Sequence, residues 1–122
     1  MAVAEIGYQY LMSGGLELAA TLFEGLVQAA PSEPYYLLAL GLTRDHQGDT
    51  AEADRCYARA GELDRSDGRP DVNRAELCLE QRRPDRARAL LASGLKKAVA
   101  RRDEPLVRKA RALLVRIEAS RE

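Results

Sequence analysis

The chain has 122 residues, the length of one domain. Its 46% apolar and 31% charged residues describe a foldable globular chain and exclude a disordered one. Its 19 basic and 19 acidic side chains cancel, which argues against a dedicated nucleic-acid binder.

Aromatic residues make up only 5%, with no Trp, so the core is built from Ala, Leu and Val, and all-α packing on small residues is expected. In the first predicted helix Ile6, Tyr10 and Leu11 recur at helical spacing, and Ser13-Gly14-Gly15 breaks the pattern. Leu16, Ala19, Ala20, Phe23, Leu26 and Val27 then mark an amphipathic helix, closed by Pro31. The third helix is expected over Tyr36 to His46, followed by the turn Gln47-Gly48-Asp49. The fourth runs from Thr50 to Leu63, with Thr50 as its N-cap and Glu52 and Asp54 at its start. Asp71 to Gln81 forms the fifth, and Pro84 opens the sixth, which passes through Leu90, Leu91, Leu95 and Val99. A seventh helix spans about 103–119, with Leu106, Ala110, Leu113, Leu114 and Ile117 on one face and Arg108, Lys109, Arg111 and Arg116 on the rest.

These elements repeat. Gly7 and Gly41 are 34 residues apart, as are Gly14 and Gly48. Ala19, Ala53 and Ala87 keep the same interval, as do Phe23, Tyr57 and Leu91, and Ala75 continues the Gly7 and Gly41 register. The small residues let paired helices approach closely, and a larger side chain would push each pair apart. The aromatic or Leu at 23, 57 and 91 is expected to fill the gap toward the next repeat.

Gly7, Tyr10, Ala19, Phe23 and Pro31, then Gly41, Ala53, Tyr57 and Ala60, then Ala75, Ala87 and Leu91 resemble the tetratricopeptide repeat (TPR) pattern. Arg44, Arg65 and Arg74 depart from it. The resemblance implies a single TPR domain over 1–122, with repeats at about 1–33, 34–67 and 68–101 in a right-handed solenoid. The seventh helix would cap it, with a polar outer side. Three repeats with a C-terminal helix, together with Arg69-Pro70, Ala75-Glu76-Leu77-Cys78-Leu79 and Arg86-Ala87, are similar to the class II chaperones of bacterial type III secretion. That likeness implies a cytoplasmic chaperone, a secreted translocator as partner, and a homodimer as an option.

The residues offer little chemistry of their own. No nucleophile-elbow, phosphate-loop, dinucleotide or zinc-protease motif is present, so a non-enzymatic protein without cofactor is expected. His46, beside Asp45, suits a helix end, and Glu76 with Glu80 suits a solvated or groove-lining pair. Cys56 and Cys78 sit in apolar-periodic segments without a Cys-x-x-Cys spacing, which reads as buried free thiols and no metal site. The first residues lack a basic region and carry Glu5, so no signal peptide is expected, and no apolar run is long enough to insert in a membrane. Charge is uneven along the chain. Residues 1–60 hold 3 basic and 8 acidic side chains, and residues 61–122 hold 16 and 11.

The TPR resemblance places the first helix of each pair on the concave face. Tyr8, Leu11 and Met12, then Tyr35, Leu38 and Leu42, then Val72, Asn73, Glu76 and Leu79 form the expected peptide-binding set. Most are apolar, and an exposed apolar set usually marks a partner site. Ala4, Tyr8 and Ala39 stand where a carboxylate clamp would need polar groups. An extended apolar protein segment is therefore the expected ligand, with Asn73 bonding its backbone. A general scaffold that assembles a bacterial protein complex is the alternative.

Overall fold

The computed structural model describes residues 2–121. The fold is all-helical: α1 (Val3–Ser13), α2 (Leu16–Ala29), α3 (Pro34–His46), α4 (Thr50–Leu63), α5 (Arg69–Glu80), α6 (Pro84–Arg101) and α7 (Glu104–Ala119), with no strand among the described residues. The chain forms two compact units, Met1–Leu63 with α1 to α4 and Asp64–Glu122 with α5 to α7.

Helices α3, α4 and α5 differ from the sequence reading at their starts or caps, and α5 ends at Glu80 rather than Gln81. Helix α3 starts at Pro34 and α5 at Arg69, because Pro34 and Pro70 each fall in a first turn, where a missing N–H is harmless. Thr50 is not the cap of α4. The Asp49 carboxylate accepts from the Glu52 N–H at 3.2 Å, so Thr50 is the first helical residue.

The turn inside each helix pair is one structure repeated at the 34-residue interval. The N–H of Gly15 donates to the Tyr10 carbonyl at 2.7 Å, Asp49 to Arg44 at 2.9 Å, and Arg83 to Cys78 at 2.8 Å. Each bond closes the helix through a left-handed residue just before the donor. Gly14 and Gly48 fill that position at φ 87° and 81°, but the third turn uses Arg82 at φ 58°. The turn from α6 to α7 is built alike, with Arg102 at φ 57° and Asp103 donating to Ala98 at 2.9 Å. A left-handed residue with a Cβ is less stable than Gly there by about 1–2 kcal/mol.

In the first unit the paired helices meet ring on glycine. A Cβ placed on Gly7 would lie 2.8 Å from the Phe23 ring, and one on Gly41 would lie 2.5 Å from the Tyr57 ring. The rings at 23 and 57 therefore fill their own helix pair rather than the gap to the next repeat. Leu11, Ala19, Phe23, Ala39, Leu40 and Cys56 complete this core. Arg44, the departure from the repeat pattern, pairs with Glu24 of α2 and donates to the Gln47 side chain at 3.0 Å, so α3 is tied to α2 by charge.

The second unit packs α7 against α6, with Val72, Ala75, Cys78, Ala87, Leu91, Ala110, Leu113 and Ile117 in one buried cluster. Ala75 and Leu91 occupy the registers that Gly and an aromatic fill in the other two pairs. Polar links tie the three helices. Asp71 accepts from Lys97 and Ser93, each at 2.8 Å, Glu76 pairs with Lys109 at 2.8 Å, and Arg88 pairs with Glu118 at 2.5 Å.

Candidate functional site

Three helices of the first unit, α1, α2 and α3, carry a run of aromatic rings. Phe23 is buried and holds Tyr8 edge-on at a centroid distance of 5.4 Å. Tyr8 in turn lies 5.9 Å from Tyr35, and Tyr35 lies 5.9 Å from Tyr36. The run leads from the core to solvent: Tyr8 and Tyr36 are half-buried and Tyr35 is 38% exposed. One turn beyond Tyr8 on α1, Met12 is 74% exposed. Partly exposed rings locked by their neighbours offer apolar area with little rotamer freedom left to lose, and Met adapts to an irregular surface. Such a face suits an apolar segment rather than a reacting small molecule.

The expected ligand set divides on burial. Tyr8, Met12 and Tyr35 are accessible, and Leu42 is partly so. Leu11, Leu38 and Val72 are corrected here: they are 4%, 5% and 0% exposed and belong to the interior, so none presents a side chain to a ligand. Leu11 belongs to the first unit's core and Val72 to the second's. On α5, Asn73, Glu76 and Leu79 are partly buried, and Glu76 is already paired with Lys109. Leu79 lies in a depression of about 350 Å³ with Arg82, Pro84, Arg116, Ile117 and Ser120. The sequence reading missed Tyr36, whose signal was its adjacency to Tyr35. It also missed an open depression of about 680 Å³ where the Gly14-Gly15 turn meets His46 and Gln47.

The titratable groups are arranged for structure. His46 Nδ1 sits 2.8 Å from the Leu42 carbonyl, at the C-terminus of α3, a helix-end bond. Among the described residues no group of His, Cys, Asp or Glu could hold a metal ion. Burial pushes the Cys56 thiol up to about 11, with the Glu52 charge adding to it, and Cys78 is buried as a free thiol. Both thiols are therefore expected to react with an aromatic disulfide reagent only after denaturation. Prompt labelling of the native protein at pH 7.5 would show that one of these helices opens readily.

No family model matches the chain. Two curated relatives, the protein adenylyltransferases fic-1 of Caenorhabditis briggsae and Caenorhabditis elegans, are each 38% identical over 47 residues. That match covers 38% of this chain, and the chain spans only about 9% of the length of those relatives. The structural likeness is far broader. PcrH from Pseudomonas aeruginosa, solved in complex with the chaperone-binding region of PopD, superposes with a TM-score of 0.90 at 24% identity, over 98% of this chain and 91% of that one. The Yersinia enterocolitica translocator chaperone SycD, in an alternative dimer, superposes at 0.93 with 20% identity, over 98% and 92%. SycD in complex with a peptide of the translocator YopD gives 0.90 at 20% identity, over 98% and 92%. The chain has the TPR-like fold of the type III secretion translocator chaperones. No described helix is long and apolar enough to cross a membrane.

Proposed function

We propose that this protein is a non-enzymatic, cytoplasmic chaperone that holds an extended apolar segment of a secretion substrate, a translocator above all, before export. The observation that carries this reading is the match of 98% of the chain to PcrH, solved with the chaperone-binding region of PopD, and to SycD, solved with a peptide of the translocator YopD. The aromatic run of the first unit supports it. Tyr8, Met12 and Tyr35 supply anchors for apolar side chains, and Asn73 on α5 is placed to bond the backbone of the same class of ligand. The SycD dimer supports extending the expectation of a homodimer to this chain.

The test uses the native host. Tagged protein is recovered with its bound partners, the bound segment is mapped, and that segment is titrated as a synthetic peptide. Tyr35→Ala and Met12→Glu are each expected to weaken binding at least tenfold, about 1.4 kcal/mol, with an unchanged circular dichroism spectrum. Leu38→Glu is unsuited to this purpose, because a charge at that buried position unfolds the helix pair instead. Parent-like binding by both surface variants, with loss of binding on charge reversal at Arg108 and Arg111, would replace the chaperone reading with a scaffold that docks through its basic half.

A further inference from the structure

Two arginines flank the depression on the second unit, and one of them stands at an energetic cost. Arg82 occupies the left-handed turn position that Gly14 and Gly48 hold in the other two repeats. It lines the depression together with Arg116 and the apolar Leu79 and Pro84. Among the described residues neither guanidinium has an ion-pair partner. The nearby carboxylates are already engaged: Asp85 with Arg121 at 2.6 Å and Glu118 with Arg88 at 2.5 Å. A strained residue that leaves an unpaired charge at the rim of an apolar depression is a common mark of a binding site.

We propose that this depression binds an acidic, apolar-flanked segment of a protein partner, a second docking surface independent of the aromatic run of the first unit. The two guanidinium groups take the carboxylates, and Leu79 and Pro84 take the neighbouring apolar side chain. A protein segment fits better than a nucleic acid. The apolar lining of Leu79 and Pro84 gives a sugar–phosphate chain nothing to bury against.

The probe is an array of fluorescent, N-acetylated and C-amidated peptides that carry Asp or Glu beside Leu or Ile, with Lys-substituted copies as controls. The parent protein is expected to bind members of the acidic set, with affinity falling as salt rises, and to ignore the Lys copies. Arg116→Gln is expected to weaken binding at least fivefold at an unchanged melting temperature. Arg82→Gly is expected to weaken it at least fivefold while raising the melting temperature by about 2–6 °C. Arg102→Gly relieves the same backbone strain away from the depression, so it is expected to raise the melting temperature and leave peptide binding unchanged. Failure of the whole acidic array to bind, or equal loss of binding in the Arg102 variant, overturns the proposal. So does full competition by a single-stranded oligonucleotide of matched charge, which would assign the site to nucleic acid. None of these results bears on the variants at Tyr35 and Met12.

Discussion

A chain ending at Arg102 is expected to lose cooperative unfolding in its second half and to aggregate at concentrations where the full chain stays soluble. Helix α7 contributes Val107, Ala110, Leu113 and Ile117 to the interior, all 9% exposed or less. Each fully buried Val, Leu or Ile is worth about 1.5–3 kcal/mol. Deletion also returns the ordering entropy of the 16 residues of α7, so the net loss is smaller than the sum of those terms. The exposed remainder decides the outcome. Leu91, Val72 and Ala87 are fully buried in the intact unit and share one cluster with α7, so the cut lays open the apolar side of α5 and α6. It also removes Lys109 from Glu76 and Glu118 from Arg88. The check is a thermal melt by circular dichroism with light scattering, beside the point variant Leu113→Asp. Both are expected to fall by at least about 10 °C, a few kcal/mol in a domain of this size. A soluble truncation with the parent's melting temperature would identify α7 as a free arm rather than a cap.

How far the sequence could be read follows from which signals are local. The turns at Gly14 and Gly48 were legible because only a left-handed residue closes a helix that way, and glycine advertises it. The third turn has the same bonds, but Arg82 hides it. The helix pairs were legible because glycine and an aromatic keep one interval. Which gap the ring fills was not, since the interval is the same for either neighbour. The TPR resemblance named the concave faces of α1, α3 and α5 but not the width of the buried arc. Leu11, Leu38 and Val72 therefore looked like ligand contacts and proved to be interior, while Met12 and Tyr35, from the same pattern, lie at the surface. The reason for Arg44 lay 20 residues away in Glu24, beyond the reach of any local motif. Thr50 and Asp49 both make good caps, and only the bond from the Glu52 N–H to Asp49 separates them.

Gly41→Ala is expected to destabilise the first unit, although Ala normally stabilises a helix interior by about 1 kcal/mol relative to Gly. The new Cβ would lie 2.5 and 2.6 Å from two atoms of the Tyr57 ring and 3.2 Å from the Cys56 Cβ. Tyr57 is 1% exposed and has no room to swing aside, so α3 and α4 must separate. Overpacking of this kind costs about 1–3 kcal/mol, which equals or exceeds the propensity gain, and Gly41→Leu lies at the upper end or beyond it. The third repeat supplies the remedy. Ala75 and Leu91 stand there in the registers of Gly41 and Tyr57 within a closed core. Tyr57→Leu alone opens a cavity over Gly41 and forfeits the interactions of the phenol, so it is destabilising by itself. Combined with Gly41→Ala, the smaller side chain accepts the methyl group. The double variant is therefore expected to be more stable than the sum of the single effects, by at least about 1 kcal/mol of coupling. Urea denaturation of the four proteins measures it. Additive effects, or a Gly41→Ala variant as stable as the parent, would mean that ring-on-glycine contact does not set the spacing of the helix pair.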